Sequence, residues 1–404
     1  MKTNRVYKMR ELCEITSSKR IYAADYKPDG VPFYRGKEIS EKFKGNLDVS
    51  TELFIDRDKF EQIRHRFGAP IGGDLLLTSV GTLGSPYVVN NGEEFYFKDG
   101  NLTWFRKFNH LESQFLYYWL QSSQGKAELK KCTIGSSQSA YTIVLLKEME
   151  ITLPPLPVQR KIAAILSAYD DLIENNLRRI KILEEMAQNL YREWFVKFRF
   201  PGHDQTRFVD SPLGRVPEGW EVRKITELLK KVKRGLKIQK KDYAEKGFIP
   251  IVDQGREFLG GYTEDIESLN SGELPLIIFG DHTRILKFID FPFACGADGT
   301  QLLKSNNERM PMALFYYTLL SIDLSDFAYA RHFKFLKEKP IILPSLEISM
   351  SFEDFVLPLR EQIRSLMQRN ANLRRTRDML LPKLISGAVD VSDLDIPIPE
   401  EAVA

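Results

Sequence analysis

The chain has 404 residues, which is too long for one ordinary hydrophobic core and predicts two or three domains. Hydrophobic residues make up 43% of it and charged residues 28%, a balance that excludes a disordered chain. Its 58 lysines and arginines are nearly matched by 55 acidic residues. The net charge of +3 therefore gives little support for a nucleic-acid partner, and charge has to be judged locally.

Cysteine usage and hydropathy exclude several other classes of protein. Cys13, Cys132 and Cys295 are far apart and odd in number, which argues against a disulfide framework and a zinc knuckle and predicts a reducing environment. No apolar run approaches the roughly 18 residues of a membrane span, and the N-terminus has no secretory signal. We expect a cytoplasmic protein with no membrane partner and no metal site.

The sequence repeats its own features in order, at a spacing of roughly 200 residues. A collinear series of this kind favours duplication, and two unrelated domains of similar composition are the alternative. The repeated segments, each written with its second copy after it, are Leu75 to Leu77 with Leu276 to Ile278, Asp99-Gly100 with Asp298-Gly299, Phe115 to Leu120 with Leu314 to Leu319, and Leu153-Pro154 with Leu343-Pro344.

Each copy is followed by a long apolar stripe with alternating steps of four and three residues, which is typical of a coiled coil. An amphipathic helix lying on a globular core is the alternative. The first stripe is Ile162, Leu166, Tyr169, Ile173, Asn176, Ile180, Leu183, Ala187, Leu190 and Trp194. The second is Leu359, Ile363, Leu366, Asn370, Leu373, Arg377, Leu380 and Leu384.

The second helix is expected to be the shorter one. We predict that residues 347–357 are an insertion, that Leu357-Pro358 opens the helix, and that Pro382 ends or kinks it, because proline removes an amide donor. Gly387 is a plausible C-terminal cap.

One asparagine lies in each stripe, Asn176 in the first and Asn370 in the second. A buried asparagine penalises wrong registers, so the two could align the helices, although each could equally lie at a wet edge. The economical arrangement pairs the helices within the chain. Self-association of two chains is the competing use of the stripes.

These observations predict an α+β fold class: two similar mixed α/β domains separated by two long helices that form a coiled coil. The turn-rich segment around Pro201 and Gly219 marks the domain boundary. The predicted order is residues 1–155, recognition domain 1; 156–200, central helix; 201–218, linker; 219–356, recognition domain 2; and 357–404, distal helix and C-terminal tail.

No catalytic motif in the sequence is convincing. It contains no phosphate-binding glycine loop, no Asn-Pro-Pro tetrad of an amino-methyltransferase and no pair of metal-binding histidines. The nearest candidate is the segment from Gly280 to Arg284, where an Asp-His adjacency follows an apolar strand. We therefore expect a protein that is not an enzyme and holds no cofactor. A DNA-modifying enzyme with a diverged active site is the alternative.

Local charge and polar loops give the candidate DNA contacts. Lysines and arginines concentrate between residues 223 and 241, and such an excess can neutralise several phosphates. Polar side chains at strand ends could reach base edges. The DNA-binding candidates are Arg57, Arg64, Arg66, Thr78, Ser79, Thr82, Ser136, Gln138, Lys230, Lys231, Lys233, Arg234, Lys237, Lys240, Thr283 and Arg284.

With these features in place, the chain resembles the specificity subunits of type I restriction-modification systems over essentially its whole length. The matching segments are Leu153 to Ile162, Phe200 to Gly202, Asp210 to Gly214, Pro217 to Trp220, Pro358 to Gln362 and Leu384 to Gly387. The residues at the start of the two long helices differ, with Val158-Gln159 in the first copy where the second has Glu361-Gln362. We therefore expect the helices to pair unequally.

The resemblance implies a non-catalytic subunit that binds double-stranded DNA, each recognition domain reading one half of an asymmetric two-part site. It further implies that the two helices pack antiparallel, set the spacer and dock two methyltransferase subunits. In the family, restriction subunits join the full complex, and S-adenosylmethionine is bound by the methyltransferase partner. A coiled-coil scaffold whose globular ends bind proteins is the competing hypothesis.

Overall fold

A computed structural model of the chain describes residues 5–46, 49–135, 139–325 and 331–398. The chain divides into two compact units. Unit 1 consists of Met1–Arg179 and Leu366–Ala404, and unit 2 consists of Ile180–Ser365. Each unit thus combines one mixed α/β segment with parts of both long helices. Across the described residues, no helix combines the length and apolarity that crossing a membrane requires.

The strands of unit 1 are short and are interrupted by small helices. The strands are Arg5–Lys8 (β1), Glu14–Thr16 (β2), Tyr26–Lys27 (β3), Val31–Tyr34 (β4), Phe54–Ile55 (β5), Leu75–Thr78 (β6), Pro86–Val88 (β7), Tyr96–Phe97 (β8), Leu102–Arg106 (β9), Thr133–Ile134 (β10), Ala140–Tyr141 (β11) and Glu150–Leu153 (β12). The helices are Met9–Leu12 (α1), Gly36–Phe43 (α2), Arg57–Phe67 (α3), Ser113–Gln121 (α4), Ser123–Lys131 (α5) and Ile143–Glu148 (α6). The first long helix, α7, is Leu156–Tyr191.

In unit 1 the continuous apolar run of β6 forms an inner strand of a four-stranded sheet. The order is β2-β9-β6-β7, and all four residues of β6 are buried, as expected for a strand covered on both faces. A second sheet has the order β3-β5-β4-β8, in which β4 and β8 run parallel. The antiparallel pair of β1 and β12 joins the start of the unit to the strand that precedes α7.

Unit 2 contains the same kinds of element. Its strands are Phe208–Ser211 (β13), Gly214–Pro217 (β14), Glu221–Lys224 (β15), Ile249–Val252 (β16), Gly261–Thr263 (β17), Leu269–Asn270 (β18), Leu276–Gly280 (β19), Leu286–Ile289 (β20), Phe293–Cys295 (β21), Thr300–Leu303 (β22) and Pro340–Leu343 (β23). Its helices are Met312–Leu320 (α8) and His332–Glu338 (α9), followed by the second long helix Leu346–Ile385 (α10).

The two units share the arrangement of their central strands, which supports the predicted duplication. The inner strand β19 lies between β20 and β22, as β6 lies between β7 and β9. The parallel pair of β16 and β21 repeats that of β4 and β8, and the antiparallel pair of β15 and β23 repeats that of β1 and β12. The units differ between their first parallel strand and their inner strand, where unit 1 has α2, β5 and α3 and unit 2 has β17 and β18. The sheet that contains β6 has four strands, and the sheet that contains β19 has three.

The predicted start of the second long helix is wrong. Helix α10 begins at Leu346 and has 40 residues, against 36 in α7, so residues 347–357 are helical and the second helix is not the shorter one. Phe352 and Val356, both 0% exposed, carry the apolar stripe through this segment. Pro358 lies on the exposed face, where the loss of one amide donor is outweighed by the packing of the opposite face.

The C-terminal end of α10 also differs from the expectation. Pro382 does not end the helix, since α10 continues to Ile385. Gly387 follows with a φ of +75°, the left-handed conformation that glycine adopts at a helix C-terminus without steric cost. Leu381 and Leu384 are buried on either side of Pro382, and this packing keeps the last turn helical.

The predicted linker, residues 201–218, contains regular structure. Strands β13 and β14 form an antiparallel hairpin, with Phe208 opposite Pro217. Phe200 stacks on Trp220 with ring centroids 5.0 Å apart, so the segment is anchored in unit 2 at both of its ends.

Candidate DNA-binding surfaces and the helix-pairing interface

The first part of α7 packs against the last part of α10 in unit 1. Ile162, Ala163 and Leu166 share one buried core with Leu381 and Leu384. Leu166 is fully buried, and burial of such a side chain contributes about 1.5–3 kcal/mol. The stripe therefore serves helix pairing, as its spacing predicts.

The two asparagines of the stripes meet in unit 1. Asn176 Nδ2 donates to Asn370 Oδ1 at 2.8 Å, and Asn370 Nδ2 donates to the carbonyl oxygen of Ile173 at 3.3 Å. Asn370 is buried, so these bonds satisfy an amide that would otherwise be without a partner. The asparagines face each other, and their role in setting the register stays a prediction.

An ionic contact accompanies the asparagine pair along the same two helices. Arg377 of α10 pairs with Asp170 of α7, and Tyr118 of α4 donates to Asp170 Oδ2 at 2.6 Å. Burial and the Asp170 carboxylate both raise the pKa of Tyr118. Burial lowers the pKa of Arg377, but the charge and hydrogen bond of Asp170 outweigh it and raise that pKa, so the guanidinium stays charged at neutral pH. Arg377, which the sequence showed only as an interruption of the stripe, is therefore a pairing residue.

In unit 2 the end of α7 packs against the beginning of α10. Ala187 and Tyr191, together with Phe195 of the π-helical turn Arg192–Val196 that follows α7, share a buried core with Phe352 and Val356. The rings of Phe195 and Phe352 have centroids 5.1 Å apart, and those of Tyr191 and Phe352 are 6.3 Å apart. The sequence prediction missed Phe352 and Val356 because it began the helix after them.

A charged residue also enters the helix pair of unit 2. The Arg360 guanidinium lies over the rings of Phe288 and Tyr316, 4.7 Å and 5.4 Å from their centroids. Burial raises the pKa of Glu184 on α7, and the positive charge of Arg360 opposes that rise. The two charges are therefore close enough to interact.

The contacts in both units run in opposite directions along the two helices. In unit 1, Asp170 pairs with Arg377 and Asn176 with Asn370, so a higher number on α7 meets a lower number on α10. The predicted antiparallel pairing is confirmed. Of the predicted pairing residues, Ile162, Leu166, Ile173, Ile363, Leu366 and Asn370 are buried, whereas Tyr169, Asn176, Ile180, Leu183, Leu373 and Leu380 are half-buried.

The helices begin with equivalent side-chain contacts. Gln159, in the first turn of α7, donates through Nε2 to the carbonyl oxygen of His110 at 3.1 Å. Ser349, at the same position in the first turn of α10, donates through Oγ to the carbonyl oxygen of Arg309 at 2.8 Å. The residue of α10 that corresponds to Gln159 is therefore Ser349, and the predicted correspondence with Gln362 is wrong.

The basic candidates of unit 1 lie on the exposed surface of α3. Arg57 Nη1 is 2.5 Å from a carboxylate oxygen of Glu94, and Arg64 Nη1 is 3.5 Å from one of Glu61. Arg66 lies over the Phe67 ring, 5.0 Å from its centroid. Surface ion pairs of this kind are weak, so these side chains can turn to a phosphate at small cost.

Two of the polar candidates of unit 1 are wrong. Thr78 is 0% exposed, and its Oγ1 accepts the amide of Ser85 at 2.8 Å. Ser79 is 2% exposed and shares a 2.7 Å hydrogen bond with Thr103. Both hydroxyls hold the end of β6 together and cannot reach a base. Thr82, further along the same loop, is exposed.

Ser136 and Gln138 lie outside the described residues. Their assignment as candidate base contacts therefore stays a prediction.

The lysine-rich candidates of unit 2 are mainly exposed. Lys230 Nζ lies 3.1 Å from a carboxylate oxygen of Glu273. Arg234 is half-buried and donates to the carbonyl oxygen of Thr300 at 3.4 Å, so it also supports the loop. The exposed remainder of the group consists of Lys231, Lys233, Lys237 and Lys240.

Three loops meet at the end of β19. Thr283 Oγ1 donates to the Gln254 carbonyl oxygen at 2.7 Å, and Gln254 Nε2 donates to the Asp298 carbonyl oxygen at 2.8 Å. Arg284 is exposed and reaches the Leu324 carbonyl oxygen at 3.2 Å. Asp281 is buried and accepts the amide of Phe333 at 2.8 Å, which gives the Asp-His adjacency a structural role.

Gln254 was missed as a candidate because only the fold brings it to Thr283. Its loop is held by Lys287, which is 4% exposed and donates to the carbonyl oxygens of Asp253 at 2.8 Å and Glu257 at 2.5 Å. Burial lowers the pKa of Lys287. The sequence offered no sign of this arrangement, because the contacts of Gln254 with Thr283 and of Lys287 with the loop join segments that are far apart in the chain.

Comparison with known proteins agrees with this geometry. The family model described as "Type I restriction modification DNA specificity domain" matches residues 1–185 and 217–373. The type I restriction enzyme MjaIX specificity subunit of Methanocaldococcus jannaschii is 29% identical over 352 residues, covering 80% of this chain and 79% of that protein. The putative MjaX specificity subunit of the same organism is 24% identical over 385 residues, covering 90% of this chain and 88% of that protein.

Among solved structures, the type I restriction-modification S subunit from M. genitalium is similar in fold. Its TM-score is 0.57 at 17% sequence identity, with 94% of this chain and 96% of that chain covered.

Proposed function

Because the chain belongs to the family of type I restriction-modification DNA specificity domains, we propose that it is the non-catalytic DNA-reading subunit of such a complex. Each unit reads one half of an asymmetric two-part site on double-stranded DNA. The observation that carries this proposal is the shared topology of the units, each of which ends in a strand followed by a long helix. Two similar readers in one chain suit two different half-sites better than they suit one active site.

The long helices set the gap between the half-sites. A helix rises 1.5 Å per residue, so a pair with a buried core acts as a rigid spacer over tens of ångströms. The pairing is supported by apolar cores in both units and by the Asn176–Asn370 hydrogen bond. A rigid spacer is what a site with a gap of defined length requires.

Two methyltransferase subunits dock on the helices, and restriction subunits join the full complex. Exposed apolar side chains on α7 and α10 support a docking role, since an exposed apolar residue gains free energy when a partner covers it. These side chains are Leu172 and Met379 in unit 1, and Ile182, Met186 and Phe355 in unit 2, each more than half exposed. In this proposal the methyltransferase partner binds S-adenosylmethionine and flips the target base.

The direct test is reconstitution of DNA methylation. The purified chain is mixed with its methyltransferase subunit, S-adenosylmethionine and a library of random DNA, and the methylated positions are sequenced. We expect methylation at one two-part site, only when both proteins are present. Methylation by this chain alone would contradict the proposal, and a complex that binds no DNA at low salt would favour the scaffold hypothesis.

A matched pair of deletions tests the spacer. Removal of residues 174–180 from α7 together with 367–373 from α10 takes one heptad from each helix and removes Asn176 and Asn370 together. A heptad corresponds to about 10 Å, or about three base pairs. We expect a correspondingly shorter gap with unchanged half-site letters.

Deletion of 174–180 alone is the matched control, because it moves one stripe out of register and should abolish recognition. If the double deletion changed the base sequence of either half-site, it would contradict the proposal that the units read the bases and the helices set only the gap.

A further inference from the structure

The two long helices place opposite charges at equivalent positions. Asp170 and Arg360 lie the same number of residues after the first residue of their helices, which is Leu156 in α7 and Leu346 in α10. Asp170 accepts a hydrogen bond from Tyr118, and the Arg360 guanidinium lies over the Tyr316 ring. Tyr118 is the second tyrosine of the repeated Tyr-Tyr dipeptide and Tyr316 is the first, so both junctions use this dipeptide with opposite charges, although not through the equivalent tyrosine.

The partners of these residues are reversed as well. Asp170 pairs with Arg377 in unit 1. In unit 2, Ala187 of α7 and Val356 of α10 belong to one buried core, with Glu184 one turn before Ala187 and Arg360 one turn after Val356, and the positive charge of Arg360 acts on Glu184. Helix α7 therefore supplies the acid of both junctions, and α10 supplies the base of both.

This charge pattern disfavours the pairing of either helix with its own copy. In an antiparallel pair of two α7 helices, Asp170 of each would face Glu184 of the other. In a pair of two α10 helices, Arg360 would face Arg377 and also Arg374, which occupies the position in α10 that Glu184 occupies in α7. Like charges would meet at both junctions of each such pair, in surroundings that are partly shielded from water.

The asparagines also favour the pairing of α7 with α10 over the pairing of either helix with its own copy, independently of charge. Asn370 lies one helical turn further into α10 than Asn176 lies into α7, so the two meet only when the two different helices pair. In a pair of α7 helices Asn176 would face Ile180, and in a pair of α10 helices Asn370 would face Leu366. Each mismatch would bury an amide without a partner.

We propose that the charge-reversed junctions and the Asn176–Asn370 contact form a pairing code, which directs α7 to α10 of the same chain and rejects the identical helix of a second copy. Two long apolar stripes could pair within one chain or between two chains, and the pairing code favours pairing within the chain. It concerns assembly of the chain and does not depend on which DNA sequence is read.

The test is a double variant of the full chain, Glu184→Arg with Arg377→Asp. Within one chain it sets Asp170 against an aspartate and Arg360 against an arginine. Between two chains it makes α7 complementary to α7, and it sets Arg360 of one α10 against an aspartate at position 377 of the other, with Arg374 left unchanged. We expect light scattering after size-exclusion chromatography to show a monomer for the original chain and a concentration-dependent dimer for the variant, with a melting temperature lower by about 5 °C or more.

The matched control inverts all four charges, adding Asp170→Arg and Arg360→Glu to the same double variant. Complementarity within the chain is restored, so we expect a monomer whose melting temperature recovers most of the loss. A fourfold variant as unstable as the double variant would overturn the proposal, because the side chains would then act separately. A double variant that stays monomeric at every concentration would overturn it as well.

Discussion

Replacement of Gln159 by alanine should destabilise unit 1 far more than a glutamine replacement elsewhere on the long helices. Gln159 is 1% exposed. Its side chain accepts the amide of Glu112 at 3.0 Å and donates to the carbonyl oxygens of His110 at 3.1 Å and Pro154 at 2.9 Å. The substitution leaves one donor and two acceptors without these partners.

The expected loss follows from those three groups. An unsatisfied buried polar group costs about 1–3 kcal/mol, and because these backbone groups are only partly buried we take about 1 kcal/mol for each, or about 3 kcal/mol in all. For a unit of this size that corresponds to a melting temperature lower by about 6–12 °C. Amide hydrogen exchange should accelerate around Glu112, at the start of α4, because the substitution frees that amide.

The assay is thermal unfolding of the full chain, with Gln362→Ala as the matched control. Gln362 is exposed on α10, and alanine is a good helix former, so its replacement should change the melting temperature by less than about 2 °C. Equal effects of the two substitutions would refute the reasoning, since Gln362 would then be the functional counterpart of Gln159 that the sequence alone suggested.

Three further predictions concern stability and DNA binding. Pro358→Ala should stabilise unit 2 by about 1–2 kcal/mol in chemical denaturation, because it restores a helical amide on an exposed face. Burial raises the pKa of Tyr117 to about 12. The protonated Tyr117 therefore contributes its full stability below about pH 10, and this contribution is lost as the pH rises toward 12. Tyr117→Phe should flatten the dependence of stability on pH in that range. Joint replacement of Lys231, Lys233 and Lys237 by glutamine should reduce the salt dependence of DNA binding by the assembled complex by up to about three counterions.

Each of these predictions has a contrary outcome. A destabilising Pro358→Ala would mean that α10 is not regular through that position. A Tyr117→Phe profile as steep as the original would remove that tyrosine from alkaline unfolding. An unchanged salt slope would place the three lysines away from DNA, and Lys224→Gln, which removes a side chain paired with Glu338 at 2.8 Å, provides the matched control.

The sequence predicted features correctly where one physical constraint acts along the chain. The stripe from Ile162 predicted a paired helix because apolar side chains at steps of three and four can be buried only on one face. Duplication was visible because the buried strands at Leu75 and Leu276 need the same continuous apolar run. The strand ends were placed correctly, but two hydroxyls at the end of β6, Thr78 and Ser79, were mistaken for surface groups.

The amino-acid sequence by itself thus determined the two similar units, the two long paired helices and the family of this protein, because periodicity, turn chemistry and repetition can be read along the chain. Only the tertiary structure decided that α10 begins at Leu346, that Arg377 is paired with Asp170, and that Gln254 meets Thr283. A proline inside a helix or an arginine in an apolar stripe is unfavourable in isolation, and its outcome depends on distant side chains that supply packing or an opposite charge. Those partners are close in space and far apart in the sequence, so no local pattern could reveal them.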